Sequence, residues 1–101
     1  MSAYTVKETN KSTQYFLNGK RHREDGPAIE RASGTNHWFL NGQLHREDGP
    51  AIEDANGDKE WYLQGQLHRE DGPAMERADG TKRWYLDGEQ VTEVDVMRPT
   101  N

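Results

Sequence analysis

Residues 38–60 read W-F-L-N-G-Q-L-H-R-E-D-G-P-A-I-E-D-A-N-G-D-K-E, and this stretch decides the fold because it recurs along the chain. Copies begin at Tyr15 and Trp61, which lie 23 residues to either side of Trp38, and a partial copy begins at Trp84. Self-similarity at a fixed spacing predicts a repeat architecture in which each unit stacks on its neighbours. The sequence predicts one repeat domain over residues 1–101: a half unit at 4–14, units at 15–37, 38–60 and 61–83, a partial unit at 84–90, and a capping strand at 91–101.

Glycine places two turns in every unit. Asn18-Gly19 and Asn41-Gly42 lie between apolar runs, and Asn-Gly is the strongest short-range signal for a two-residue hairpin turn because both residues need positive φ. A second turn ends at Gly34, Gly57 and Gly80. Since no stretch has helical periodicity, the sequence predicts an all-β fold. We expect an elongated single antiparallel sheet, a meander of about eight short strands stacked as hairpins.

Alternation along a strand assigns side chains to the two faces of the sheet. In Trp38-Phe39-Leu40, Trp and Leu point to one face and Phe points to the other. The sequence predicts that Ile29, Ile52 and Met75 join the stripe of Trp and Leu. The opposite face carries an aromatic ladder, which serves either cross-strand packing or as a platform for a partner or ligand. The members of this ladder are Phe16, Phe39, Tyr62 and Tyr85.

Composition argues against several classes of function. Lys and Arg number 13 against 18 Asp and Glu, a formal net charge of -5, so we expect neither duplex nucleic acid nor anionic lipid as a direct partner. The absence of cysteine removes disulfides, thiol nucleophiles and thiolate metal sites. No apolar run reaches the length of a signal sequence or a membrane span. The sequence therefore predicts a cytoplasmic protein.

The segment H-R-E-D-G-P-A recurs without change at residues 22–28, 45–51 and 68–74, hereafter the H-R-E-D loops. Equivalent histidines of neighbouring units should lie about 10 Å apart, whereas ligands of one zinc ion lie about 3 to 4 Å apart. No Ser or Thr pairs with the histidine at a recurring offset, and adjacent Glu and Asp point apart on an extended chain, which disfavours a catalytic carboxylate pair. The sequence predicts no catalytic residue, no metal site and no cofactor.

Two interpretations of the H-R-E-D loops stay open, a structural corner and a repeated polar rim that contacts a partner. Asp-Gly-Pro is turn chemistry. The arginine is expected to pair with an acid of its own or the next unit, and the histidine to bond a loop carbonyl. The candidate partner-binding residues are Arg23, Glu24, Asp25, Arg46, Glu47, Asp48, Arg69, Glu70 and Asp71 in the loops, with Phe39, Tyr62 and Tyr85 on the aromatic ladder.

The tail departs from the repeat pattern and becomes rich in β-branched residues. Repeat arrays need end caps, so the sequence predicts a final strand that covers the open edge of the sheet. Dimerisation through the same strand is the alternative, because a bare edge invites further pairing. The residues assigned to this cap or dimer contact are Val91, Val94, Val96 and Met97.

The unit resembles the MORN repeat (membrane occupation and recognition nexus) over about residues 4–90. The likeness lies in the segments 41–45 (N-G-Q-L-H) and 55–59 (A-N-G-D-K), with Gly49 between them. The unit is most similar to the H-R-E-D-G-P-A variant found in phage and giant-virus proteins. This resemblance implies a twisted sheet of stacked hairpins, often dimeric, that serves as a binding scaffold without catalysis. Where the common MORN unit has Gly and a strand, this one has Arg-Glu-Asp-Gly-Pro, which counts against an inherited lipid-binding role.

The sequence and the resemblance together predict a non-enzymatic scaffold that binds another protein. By analogy with the phage repeats, the specific expectation is a phage-encoded inhibitor of a host defence protein, comparable to an anti-CRISPR, that docks on a basic surface. Two alternatives stay open. One is a protein that sequesters a nucleotide on the aromatic ladder, with Arg23, Arg46 and Arg69 holding the phosphates. The other is a membrane-surface adaptor of the MORN type.

Overall fold

The fold is all-β, as the sequence predicts. A computed structural model describes residues 3–97, which form fourteen short strands and one short helix. The elements are β1 (Tyr4–Glu8), β2 (Ser12–Leu17), β3 (Lys20–Arg21), β4 (Ile29–Arg31), β5 (Asn36–His37), β6 (Phe39–Leu40), β7 (Gln43–Leu44), β8 (Ile52–Glu53), β9 (Lys59–Glu60), β10 (Tyr62–Leu63), β11 (Gln66–Leu67), β12 (Met75–Glu76), β13 (Lys82–Leu86), β14 (Glu89–Val91) and α1 (Glu93–Met97).

Ten of these strands form one antiparallel sheet. Its order is β1-β2-β4-β5-β8-β9-β12-β13-β14, with β3 paired to β2. The other strands form two small hairpins, β6 with β7 and β10 with β11. Neighbouring hairpins are joined through the backbone, because Arg23 N–H bonds the Phe39 carbonyl and Gly42 N–H bonds the Arg21 carbonyl. The described part of the chain extends over 44 × 34 × 18 Å.

A strand changes its partner at the Trp position of each unit. Trp38 N–H donates to the Ala51 carbonyl on one side, while the Trp38 carbonyl accepts from His45 N–H on the other. Tyr15 and Trp61 make the same pair of bonds one unit away in either direction. The strand is therefore divided at Trp38 into β5 and β6, and at Trp61 into β9 and β10. The H-R-E-D loops separate three further pairs, β3 from β4, β7 from β8 and β11 from β12, so the structure has fourteen strands rather than the expected eight or so.

The two predicted turns are confirmed. Asn41 and Gly42 have φ values of 50° and 82°, and the equivalent pairs in the other units repeat this geometry. It is the left-handed conformation that Asn and Gly adopt most readily. In the second turn Gly34, Gly57 and Gly80 have φ values of 94° to 101°. Each unit thus reverses direction twice, and successive units lie side by side.

The register places the aliphatic side chains on a different face from the predicted one. Ile29 lies directly across from His37, and direct antiparallel partners project to the same face. His37 shares this face with Phe39, whose ring centroid is 6.5 Å from that of His37. The prediction that Ile29, Ile52 and Met75 join the Trp and Leu stripe is therefore wrong. Alternation determines which side chains of one strand share a face of the sheet. The length of the second turn determines which face the side chains of the next strand point to.

Small side chains occupy the most buried positions. Ala28, Ala51 and Ala74 have no exposed surface, and Ile29 is 3% exposed. No large side chain in the described residues is fully buried. The alanines immediately follow the prolines of the H-R-E-D loops, where the loop returns to the sheet. A larger side chain there would push the loop away from the strands.

The C-terminal tail differs from the predicted strand. Val91 ends β14 and pairs with Trp84, but Glu93–Met97 form one helical turn. Thr92 caps this turn because its hydroxyl accepts from Asp95 N–H at 3.2 Å, while an Asp95 carboxylate oxygen accepts from Thr92 N–H at 3.1 Å. This reciprocal pair is a capping box, which outweighs the β preference of the valines. The rest of the predicted strand, residues 98–101, lies outside the described residues.

Dimerisation through the tail stays a prediction. Val94 is 67% exposed, whereas Val91 and Val96 are half-buried.

Within residues 3–97 no helix has the length and apolar character needed to cross a membrane.

Candidate functional site: grooves between the H-R-E-D loops

The arginine of each H-R-E-D loop folds back over the aromatic ring that opens its unit. The Arg46 guanidinium carbon lies 3.8 Å from the centroid of the Trp38 ring. The equivalent distances are 4.1 Å for Arg23 over Tyr15 and 3.9 Å for Arg69 over Trp61. A guanidinium at this distance from an aromatic face makes a cation–π contact. The loops therefore cover the face that carries Trp and Leu, which we call the indole face.

Hydrogen bonds hold the same arginine in place. Arg46 Nε donates to Asp48 at 3.1 Å, and its Nη1 donates to the Pro50 carbonyl at 3.1 Å. Nη1 also lies 3.4 Å from a Glu53 carboxylate oxygen. Arg23 and Arg69 repeat these contacts. The arginine thus pairs with acids of its own unit, one of the two arrangements that the sequence allowed, and it closes its own loop.

The loop glycine leaves room for this arginine. A Cβ atom built on Gly49 would lie 2.9 Å from the Arg46 guanidinium carbon, and the corresponding distances at Gly26 and Gly72 are 2.9 and 2.8 Å. Carbon atoms that are not bonded do not approach so closely. A side chain at this position would therefore displace the guanidinium from its place over the ring.

The histidine joins one unit to the next. His22 Nδ1 accepts from Asn41 N–H at 2.9 Å, and His45 and His68 accept at 2.9 Å from Gln64 and Asp87 N–H. The expected bond to a loop carbonyl is not what these rings make, because Nδ1 meets a donor in the hairpin turn of the following unit. Since Nδ1 accepts, a neutral ring carries its proton on Nε2.

The other histidine nitrogen points towards the glutamate of the same loop. Nε2 lies 3.1 Å from Glu70 in the third loop and 3.5 Å from Glu47 in the second. In the first loop the distance to Glu24 is 4.0 Å, and His22 Nε2 is buried without a hydrogen-bond partner. The first loop thus leaves one N–H donor unused.

The carboxylates of the loops project into solvent. Their side chains are 69–89% exposed, whereas the arginine side chains beside them are only 18–26% exposed. The rim that a partner meets therefore presents more negative than positive charge. Its carboxylates belong to Glu24, Asp25, Glu47, Asp48, Glu70 and Asp71.

Grooves separate the successive loops on the indole face. The second groove, of about 260 Å³, runs between the first and second loops over Trp38 and Leu40. The third groove, of about 570 Å³, repeats this arrangement between the second and third loops over Trp61 and Leu63. The first groove, of about 460 Å³, lies between the first loop and β1. The second and third grooves have an acidic rim on both sides of an apolar floor, and the first has an acidic rim on one side.

The first groove differs because no loop closes its N-terminal side. Tyr4 and Val6 line it instead, and they are 66% and 58% exposed. Both lie on the indole face, since Val6 pairs with Tyr15 and Tyr4 pairs with Leu17. The buried His22 ring also lines this groove.

The structure does not bring all the candidate residues together. Phe39, Tyr62 and Tyr85 lie on the opposite face from the loop arginines, because each ring alternates with the Trp or Leu beside it along the strand. A nucleotide stacked on the aromatic ladder would therefore not meet Arg23, Arg46 or Arg69. The face that carries the ladder has its own partners for these rings.

Arg21 and Glu60 are two of these partners. The Arg21 guanidinium lies 6.0 and 5.9 Å from the centroids of Phe16 and Phe39. The Tyr62 hydroxyl donates to Glu60 at 2.9 Å. Burial, together with this carboxylate, raises the pKa of Tyr62 to about 12. These contacts indicate that the aromatic ladder packs the sheet.

Sequence reasoning missed the groove floors. The sequence places Trp and Leu on one face of the sheet, but it does not indicate that Trp38, Leu40, Trp61 and Leu63 are half-buried and line grooves. A signal was available, because a seven-residue loop between two short strands is long enough to fold back over its own unit.

No group of three or more His, Asp or Glu side chains among residues 3–97 is placed to hold a metal ion.

In comparison with known proteins, no family model, no curated protein and no solved structure matches this chain.

Proposed function

We propose that this chain is a non-enzymatic scaffold that binds a basic surface of another protein through the grooves between its H-R-E-D loops. The observation that carries the proposal is the succession of three grooves on one face, each with exposed carboxylates at its rim and apolar side chains on its floor. Interfaces of this composition bury an apolar centre inside a polar rim.

The charge of the loops supports a basic partner. Each loop contains one Arg, one Glu and one Asp, but the arginine lies on an indole or phenol ring and donates within its own loop. Its charge is therefore directed inward, while both carboxylates face solvent. A net charge of -5 adds long-range attraction for a positively charged surface.

The target that we propose is a host defence protein whose basic surface ordinarily holds nucleic acid, so that the chain acts as a phage-encoded inhibitor of the anti-CRISPR kind. Two observations support this narrower proposal. The H-R-E-D-G-P-A unit resembles repeats of phage and giant-virus proteins, and carboxylates repeated at a fixed interval carry the charge sign of a nucleic-acid backbone.

The experiment begins with purification of the partner on immobilised chain from a host lysate, followed by affinity measurements with purified components over a range of salt concentrations. The test variant carries amides at all six loop carboxylates. It should bind at least about a hundredfold more weakly, with a shallower salt dependence, because six ionic contacts are removed. The control, Tyr62→Phe with Tyr85→Phe, changes the opposite face and should bind as the unmodified chain does. Unchanged affinity and salt dependence in the six-amide variant contradict the proposal.

A further inference from the structure

The grooves recur at the interval of the repeat. In the main sheet one strand, β8, separates β5 from β9, so equivalent positions of neighbouring units are two strand spacings, about 9.6 Å, apart. The three grooves follow one another along this direction, because the first loop borders the first and second grooves and the second loop borders the second and third. A partner that fills all three must present its own groups at the same interval.

Each groove suits a long cationic side chain. Glu47 and Asp48 stand at the rim of both the second and the third groove, and Trp61 and Leu63 form the floor of the third. Lys and Arg place an aliphatic stem on apolar surface while the charged head stays among acceptors. Carboxylates on both rims of the second and third grooves, and on one rim of the first, would accept hydrogen bonds from that head.

We propose that the grooves bind a polyproline II segment of the partner that carries Lys or Arg at every third residue. A polyproline II chain has three residues per turn and rises about 9.3 Å per turn, so every third side chain lies on the same side at nearly the interval of about 9.6 Å between grooves. The cationic side chains enter successive grooves. This inference rests on the proposed function and names the chemistry that the basic surface must present.

The first test compares labelled peptides of Gly and Ser that contain the same number of arginines. In one peptide Arg occupies every third position, and in the other the arginines are contiguous. Fluorescence anisotropy at fixed salt should give an affinity at least about fivefold higher for the periodic peptide, because only this peptide places one cation in each groove. Equal affinities overturn the proposal, since binding would then follow charge alone.

The second test changes the chain. Glu47→Gln with Asp48→Asn removes two charges at the rims of the second and third grooves, and Asn keeps an oxygen for Arg46 Nε. Binding of the periodic peptide should fall about tenfold. Glu8→Gln with Glu93→Gln removes the same charge from exposed positions outside the grooves and should change binding less than about twofold. An equal loss in both variants overturns the proposal.

The third test asks whether the grooves bind a peptide or a free polyamine. Spermidine serves as a competitor that has charge but no peptide backbone, and it should displace the periodic peptide only at concentrations well above the peptide's own Kd. If it displaces the peptide at concentrations near the peptide's own Kd, the grooves are polyamine sites and the proposal is wrong.

The outcomes separate this inference from the proposed function. If a purified basic partner needs the six carboxylates but the two peptides bind alike, the peptide inference fails and the proposed function stands. If the six-amide variant binds both partner and peptide unchanged, both fail.

Discussion

Two kinds of turn join neighbouring units, and they are held in different ways. In the hairpin turn that contains Asn41 and its equivalents, the backbone amide always bonds Nδ1 of the preceding histidine, at 2.9 Å in all three cases. In the second turn the equivalent amides use three different acceptors. Ala32 N–H bonds the Lys11 carbonyl, Ala55 N–H bonds the Thr35 hydroxyl, and Ala78 N–H bonds the Asp58 carboxylate.

This difference separates residues that the fold requires from residues that it does not. A backbone N–H in the second turn donates to whichever oxygen lies nearby, so its partner varies from unit to unit. The loop histidine accepts a hydrogen bond from the hairpin turn of the following unit, and the loop arginine lies over the aromatic ring that opens its own unit. These two contacts account for the presence of the same two residues in every loop. Among residues 3–97, the contact found for the loop glutamate is the one with its histidine, at distances that range from 3.1 to 4.0 Å. Its recurrence therefore has a weaker structural cause, which favours a role in binding.

Removal of a loop arginine should have the largest effect on stability. Arg46→Ala loses the contact with Trp38 and leaves the Pro50 carbonyl without its donor, so we expect the free energy of unfolding to fall by about 2 to 3 kcal/mol. Urea denaturation followed by tryptophan fluorescence measures it. Arg31→Ala, at an exposed position at the end of β4, should cost less than about 0.5 kcal/mol. Equal losses in the two variants would show that the stacked arginine adds no more stability than an exposed one.

The loop glycine gives a second test of the contact between Arg46 and Trp38. Gly49→Ala should destabilise the chain by about 1 to 2 kcal/mol because the new methyl group displaces the Arg46 side chain. When Arg46 is already alanine, the same change should cost less than about 0.5 kcal/mol, since the atoms that collide are gone. A cost that is the same in both backgrounds would place the requirement for glycine elsewhere.

The two kinds of turn can be compared directly through their acceptors. His22→Ala removes the acceptor for Asn41 N–H and a side chain that is 93% buried, and should cost about 1.5 kcal/mol. His22→Asn should recover about half of this loss. Thr35→Ala should cost about 0.5 kcal/mol, because water can reach the exposed Ala55 amide. If Thr35→Ala proves as costly as His22→Ala, the distinction between the turns is wrong.

The smallest expected effect concerns pH and the second turn. The hydrogen bond from Ala78 N–H, followed by those from Asn56 and Arg77, lowers the pKa of Asp58 from its ordinary value of 3.8. A carboxyl group whose pKa is lower in the folded chain contributes stability above pH 3.8 that is lost as the pH falls through the folded pKa. Thermal unfolding between neutral and acidic pH should therefore show a weaker acid destabilisation for Asp58→Asn, and identical profiles would contradict this.

The architecture follows from the sequence because its determinants are local. Asn41-Gly42 specifies a hairpin turn, and the fixed interval of the repeat then stacks the hairpins. The placement of Ile29 did not follow, because it depends on the number of residues in a turn between strands. The helical turn at Glu93–Met97 depends on a pair of bonds between Thr92 and Asp95, which single-residue β preference does not describe.

The candidate site was predictable in its residues but not in its shape. The sequence selected Glu47 and Asp48 as part of a polar rim, and both line grooves. It did not indicate that Arg46 lies over Trp38 or that this contact leaves the carboxylates outermost. Those features arise from the path of a loop across a sheet, which residue spacing alone does not specify.

The hydrogen bonds from the hairpin turns to the loop histidines connect adjacent units. The number of units can therefore change without loss of these bonds. Removal of residues 38–60 would bring His22 Nδ1 to the turn amide of Gln64, which His45 holds at present, so the remaining bonds would keep their partners. The free energy of unfolding of such a chain is approximately the sum of a contribution from each unit and a contribution from each contact between neighbouring units. Gain or loss of a whole block would then change the number of grooves in integer steps. If the grooves bind as we propose, affinity for a periodic target would be set by the number of units rather than by the chemistry of any single groove.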